Sequence, residues 1–192
     1  MNDLIETLPV VALRGMTILP GMVIHFDVSR ERSVKAIEQA MLKEQRIFLV
    51  TQKDVQVEQP GPEDLYRIGT IAAVKQVIKL PHNVIRVLAE GLEKAELSHF
   101  SQDGEFLEAE VIRFESEDAL ENLDPAYGEA MVRNLFETFH LYCRESGKVG
   151  KELERQITET ADLEKLMKEI MINLPLYYED KQKLLETVTL SD

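Results

Sequence analysis

The sequence predicts an α+β fold, with a β-rich part over residues 1–115 and an α-helical bundle over residues 116–192. Short runs rich in β-branched residues fill the first part, as expected for strands. After Glu115 such runs become rare, and apolar residues recur with the period of a helix. The change in pattern at one point predicts two subdomains that meet near residue 115.

The most informative stretch is a β-hairpin predicted between Tyr66 and Leu97. Residues 68–79 are apolar and rich in β-branched side chains, and residues 84–89 resume this pattern before Glu90-Gly91 ends it. Pro81-His82-Asn83 suits the connecting loop, because proline fixes φ and asparagine tolerates positive φ. The apolar runs are almost continuous, which predicts a hairpin buried on both faces.

Further strands and one helix complete the β-rich part. The helix is predicted over residues 31–44, because Val34, Ile37, Ala40 and Met41 would lie on one face. The strands are expected at residues 8–13, 23–28, 47–50, 95–97 and 106–114.

Four helices are predicted after residue 115. Asp124-Pro125 forms an N-cap and N1 pair for a helix ending near Gly147. The others are predicted over residues 151–158, over 162–173 and from about Tyr178, the last burying Leu184, Leu185 and Val188. This last helix ends in TVTLSD soon after its apolar face begins, as expected of a chain cut at a domain boundary; a natural C-terminus is the alternative.

The net charge and the single cysteine indicate which binding partners and which compartment to expect. With 22 Lys and Arg against 35 Asp and Glu, the net charge is −13, and no run of basic residues stands out. This argues against binding to nucleic acid or to an anionic membrane. One cysteine excludes an internal disulfide, and the N-terminus resembles no signal peptide, so we expect a cytoplasmic protein.

No motif predicts catalysis, a cofactor or a metal. The segment Ser146 to Lys151 resembles a Walker A loop, but Glu145 and Glu152 occupy positions that require Gly and Ser or Thr. His140 and Cys143 would be neighbours on a helix, yet the adjacent aromatic stripe favours a core cysteine over a nucleophile. We therefore predict a non-catalytic chain.

Binding is predicted instead at apolar residues around turns, because exposed apolar patches mark interaction sites. The alternative is that these side chains plug the ends of the barrel or the seam between the subdomains. The candidate substrate-binding residues are Met16, Ile18, Leu19, Pro20, Met22, Leu80 and Pro81.

Several motifs together identify a family. LPVVALR followed by PGM, then DLYRIGT and VLAEGLE, resembles the N-terminal (LON) domain of ATP-dependent Lon proteases, over residues 8–188. The resemblance implies a PUA-like pseudo-barrel with one packed helix and a helical subdomain. It also implies that the domain recognises unfolded, damaged or tagged proteins and delivers them to an ATPase and a Ser–Lys peptidase further along the same chain. The full-length enzyme would be a homohexamer.

Two other functions stay open at this stage. The chain could be a free-standing LON-domain adaptor, which the sequence does not separate from part of a Lon protease. A PUA-like barrel could also bind RNA, although the net charge of −13 argues against it.

Overall fold

The computed structural model describes residues 4–101, 104–114, 124–160 and 162–187. The predicted boundary at residues 115 and 116 and the predicted burial of Val188 lie outside these ranges. The strands are β1 (Ile5–Leu13), β2 (Val23–Val28), β3 (Arg46–Thr51), β4 (Ile68–Lys79), β5 (Ile85–Phe100) and β6 (Glu108–Arg113). The helices are α1 (Glu31–Leu42), α2 (Pro125–Ser146), α3 (Lys151–Thr158), α4 (Leu163–Asn173) and α5 (Tyr178–Glu186).

The predicted α+β class is confirmed: the six strands form one mixed sheet, accompanied by five helices. The strand order is β2-β5-β4-β3-β1-β6, and an additional β5–β6 pairing closes five of the strands into a barrel. Only β1 and β3 run parallel; every other pairing is antiparallel. Strand β2 stays outside the closed ring, paired with β5.

The β4–β5 hairpin is present, with His82 and Asn83 at φ of 62° and 59° in its tip. Two of its predicted features are wrong. Its outer half is not buried on both faces, since Ile78 is 43% exposed. Strand β5 also continues through Gly91 to Phe100. Glycine is needed at position 91 because an added Cβ would lie 2.5 Å from the carbonyl oxygen of Leu19.

The core of the barrel is made of aliphatic side chains, large and small, around Phe48, which is fully buried. Helix α1 covers β1 and β3 with Ser33, Ala36, Ile37 and Ala40. These positions follow an i, i+3, i+4, i+7 pattern. The predicted buried face therefore holds at Ile37 and Ala40, whereas Met41 is 38% exposed.

Helices α2, α3 and α4 form a second compact unit. Its core contains Phe139, Cys143, Ile157, Leu166 and Ile170. The carboxylate of Asp124 accepts from the amides of Ala126 and Tyr127 at 2.9 and 3.2 Å, so the N-cap of α2 forms as the sequence indicates. Gly147 ends α2 at a φ of 60°.

The last helix differs from the sequence-based division, which places it in the helical subdomain. Helix α5 belongs to the same compact unit as the sheet. Its buried Gln182 donates from Nε2 to the carbonyl of Ile68 at 3.0 Å, and Thr17 Oγ1 donates to the carbonyl of Tyr178 at 3.0 Å. The subdomain division itself stays a prediction.

Candidate functional site

An open groove of about 780 Å³ lies in the sheet-containing unit. It is lined by the end of β1, by Arg14 and Met16 after it, by β2, and by Arg30 and Ser33 at the start of α1. We call it the edge groove, because it lies along two strand edges that lack a partner. Its volume is within the range of about 300–1,000 Å³ that ligand sites occupy.

The first of these edges belongs to the end of β1. Strand β1 pairs with β6 only over residues 5–9, and one further bond joins the amide of Val10 to the carbonyl of Leu107 at 2.8 Å. From Val11 to Leu13 the strand pairs with β3 alone. One side of this short segment therefore faces the groove.

The second edge belongs to β2, which pairs with β5 alone. The amide of Gly91 donates to the carbonyl of Met22 at 2.8 Å. Because bonded and non-bonded pairs alternate in an antiparallel ladder, Val23, His25 and Asp27 direct their N–H and C=O groups away from β5. Within the part of the chain that the structure describes, these groups have no protein partner.

Two arginines share one corner of the edge groove. Arg30 donates to the carbonyls of Ala12 and Val57 at 3.3 and 3.4 Å and to Gln52 Oε1 at 2.8 Å. Arg14 donates to the same Val57 carbonyl at 3.3 Å. Partial burial, and then the charge of Arg14, lower the pKa of Arg30. Among the described carboxylates, none lies within ion-pair distance of either guanidinium.

A third arginine on the groove is neutralised. Arg86 binds Asp27 through two bonds, from Nε at 2.7 Å and from Nη2 at 2.8 Å. This bidentate bonding lowers the pKa of Asp27 and raises that of Arg86. The uncompensated positive charge of the groove is therefore that of Arg14 and Arg30.

A second cavity, of about 350 Å³, lies between α1 and the β4–β5 hairpin; we call it the hairpin cleft. Leu80 and Val84 line it from the hairpin and Val34 from α1. Charged residues form its rim, including Lys79, whose Nζ lies 3.9 Å from Glu38 Oε1. The lining of the cleft therefore combines a few apolar side chains with polar and charged ones of both signs.

Of the seven predicted substrate-binding residues, three are buried. Ile18, Leu19 and Met22 are 2%, 0% and 9% exposed, so the predicted exposure of these side chains is wrong. The reason is a turn at Pro20-Gly21, closed by a 3.1 Å bond from the amide of Met22 to the carbonyl of Leu19, which folds the segment onto β5. Thr70 Oγ1 also donates to the carbonyl of Ile18 at 2.6 Å.

The other four predicted residues reach the surface, but not together. Met16 is half-buried and lines the edge groove, whereas Leu80 is half-buried and lines the hairpin cleft. Pro20 is half-buried and Pro81 is exposed at the hairpin tip. A role of any of the seven in binding substrate stays a prediction.

The catalytic candidates line neither the edge groove nor the hairpin cleft. Cys143 is buried in the core of α2–α4, and burial, followed by the charge of Glu154, raises the pKa of its thiol. The exposed His140 faces Glu154 instead, with Nδ1 2.5 Å from Oε1. The described residues contain no cluster of three or more His, Cys, Asp or Glu that could hold a metal ion, and none of their helices is long and apolar enough to cross a membrane.

Sequence reasoning missed the free edge of β2 and the pairing of Arg14 with Arg30. Strand β2 is recognisable from its alternation, but its edge position depends on pairings with residues more than 50 positions away. Arg14 follows β1 and Arg30 precedes α1, and nothing local indicates that they share an acceptor. The only available signal was that each follows a short apolar strand.

Sequence comparisons point to one group of proteins. Residues 7–192 match a family model described as the ATP-dependent protease La (LON) substrate-binding domain. The chain is 48% identical to a Lon protease of Lachnoclostridium phytofermentans, over 96% of the chain and 23% of the relative. It is 34% identical to Lon protease 1 of Bacillus subtilis, over 100% of the chain and 24% of that protein. The chain thus spans about a quarter of the length of these relatives.

Solved structures show the same fold. The N-terminal domain of a Mycobacterium avium complex Lon protease superposes with a TM-score of 0.71 at 18% identity, covering 97% of this chain and 92% of that one. A Lon N-terminal domain protein from Xanthomonas campestris superposes with a TM-score of 0.58 at 16% identity, covering 95% and 90%.

Proposed function

Because the chain belongs to the LON substrate-binding domain family, we propose that it is the non-catalytic substrate-recognition domain of an ATP-dependent Lon protease. It binds unfolded, damaged or tagged proteins and delivers them to an ATPase and a Ser–Lys peptidase in the same longer chain. The observation that carries this proposal is the match of residues 7–192 to the family model.

The setting of this activity is part of the same proposal. The full-length enzyme works as a homohexamer in the cytoplasm, and its partners are non-native proteins rather than membranes or nucleic acids. The net charge of −13 supports this choice, because nucleic acid and anionic lipid both require excess basic residues.

The hairpin cleft offers a surface suited to non-native proteins. Unfolded chains expose the apolar side chains that native proteins bury, and Leu80, Val34 and Val84 provide apolar contacts for them. Pro81 is exposed beside the cleft. Ile78, near the end of β4, is 43% exposed. Lys79 and Glu38 at the rim give the cleft charges of both signs, which suits varied sequences.

The proposal is tested with one labelled protein in two forms, native and destabilised by a core substitution. The wild-type chain should bind the destabilised form at least about tenfold more tightly. Leu80→Ser should weaken that binding, whereas Leu92→Ser, which replaces a 40% exposed leucine outside both cavities, should not. Equal and negligible binding of both forms would contradict the proposal.

A further inference from the structure

The free edge of β2 offers bonds that any extended polypeptide can complete. His25 and Asp27 present backbone donors and acceptors toward the edge groove, and Val23 continues the same free edge. The side chains of all three lie on the exposed face of the strand. A peptide added as a strand would satisfy these groups without regard to its sequence, the usual mode of recognition at a sheet edge. An unfolded protein supplies extended segments whose backbone N–H and C=O groups are free, whereas a folded protein has already hydrogen-bonded these groups.

The arginine corner adds a preference for charge. Arg14, Arg30 and Gln52 Nε2 all donate to the Val57 carbonyl, the last at 2.6 Å, so donors outnumber acceptors there. A guanidinium carries several N–H groups in a fork that fits a carboxylate. Two such groups beside one another, without a carboxylate of their own among the described residues, favour an anionic group at this corner.

We propose that the edge groove binds an extended segment of non-native protein as an added strand on β2, with an Asp or Glu side chain of that segment held by Arg14 and Arg30. This inference rests on the proposed function and names the class of segment that the domain selects. A second copy of this chain is a poorer occupant, because two chains of net charge −13 repel each other.

The test uses labelled peptides of alternating Thr and Val with both ends blocked, carrying either Asp or Asn at the centre. Fluorescence anisotropy should show the Asp peptide binding about tenfold or more tightly than the Asn peptide, as charge-assisted bonds imply. Arg14→Gln should remove most of this difference. Arg67→Gln, which removes an exposed charge outside the groove, should leave it intact. Equal affinities, or a difference that survives Arg14→Gln, would overturn the inference.

The strand-addition step has its own measurement. His25→Pro removes an N–H that points into the groove and keeps the bonds to β5, so both peptides should bind at least about tenfold more weakly. Should that variant not fold, hydrogen exchange on the wild type decides: the peptide should slow exchange at Val23, His25 and Asp27. Unchanged exchange there would overturn strand addition.

Two further outcomes separate the possibilities. If an Asn peptide with a free C-terminal carboxylate binds more tightly than the blocked Asp peptide, the groove recognises chain ends and the inference is wrong. If the chain captures a destabilised protein but binds neither peptide, the proposed function stands and only this inference fails. Failure to capture that protein as well would count against both.

Discussion

The burial of Leu19 predicts a large loss of stability when its side chain is shortened. Leu19 is 0% exposed, and its carbonyl oxygen is held against Gly91. Leu19→Ala would remove buried methyl groups from a segment that cannot collapse, because the turn and the Gly91 contact fix its backbone. Such truncations cost about 3–5 kcal/mol of unfolding free energy.

The assay is urea unfolding monitored by hydrogen exchange at the amides of β4 and β5. These amides give the unfolding free energy of the sheet-containing unit separately from that of α2–α4. A loss of about 3 kcal/mol corresponds to a fall in melting temperature of roughly 10 °C for a unit of this size. Leu42→Ala is the matched control, since Leu42 is 82% exposed and should change stability by less than about 0.5 kcal/mol.

One result would refute this reasoning. If Leu19→Ala cost no more than Leu42→Ala and instead weakened the binding of a destabilised protein, Leu19 would be a surface residue that contacts substrate. The buried turn at Pro20-Gly21 would then not exist in solution.

Three more predictions concern separate parts of the chain. Gly91→Ala should destabilise the sheet by about 1–3 kcal/mol, because the added Cβ would lie 2.5 Å from the Leu19 carbonyl oxygen. Gly128 on α2 has no atom within 4 Å of an added Cβ, so Gly128→Ala should stabilise its helix slightly. Thermal melts measure both changes. Arg86 lowers the pKa of Asp27 below its ordinary value of 3.8. The pair therefore stabilises the fold above that pH, and this stabilisation is lost as the pH falls through the lowered pKa. Between about pH 5 and pH 2, the urea midpoint should drop more for the wild type than for Asp27→Asn. Cys143, buried with a raised pKa, should react with a thiol reagent only when α2–α4 open, and rapid labelling without denaturant would contradict its place in that core.

Features encoded by neighbouring residues could be predicted from the sequence. Asp124 and Asp162 cap α2 and α4 through amides two or three positions further on, so the signal and the structure it specifies lie within one turn. The hairpin tip is similar, because His82 and Asn83, the two hairpin residues with φ near 60°, lie in the predicted loop itself. In each case the deciding interaction is local.

Features that depend on distant partners could not be predicted. Leu19 is apolar and lies beside a turn, which is equally compatible with an exposed patch and with a buried one. The backbone of Leu19 lies against Gly91, a residue whose local pattern indicates the end of a strand. Helical patterning alone groups helix α5 with the other helices, because nothing local to Gln182 indicates that its partner is the carbonyl of Ile68.

The two candidate surfaces differ in the same way. The position of Leu80 near the surface could be predicted, because it adjoins a hairpin tip, and it lines a cleft in the structure. Its role in binding stays a prediction. Arg14 and Arg30 converge only through the folded path of β1, α1 and the loop that carries Val57. Their shared corner is a property of the tertiary fold alone.

We propose that this domain binds non-native polypeptide at the edge groove and the hairpin cleft of its sheet-containing unit. The most direct measurement is an NMR titration of the isotope-labelled chain with one protein, first native and then destabilised by a core substitution. We expect only the destabilised form to shift backbone amides, at residues 14–28 around the edge groove and 79–85 around the hairpin cleft. Identical spectra with both forms, or shifts confined to α2–α4, would contradict it.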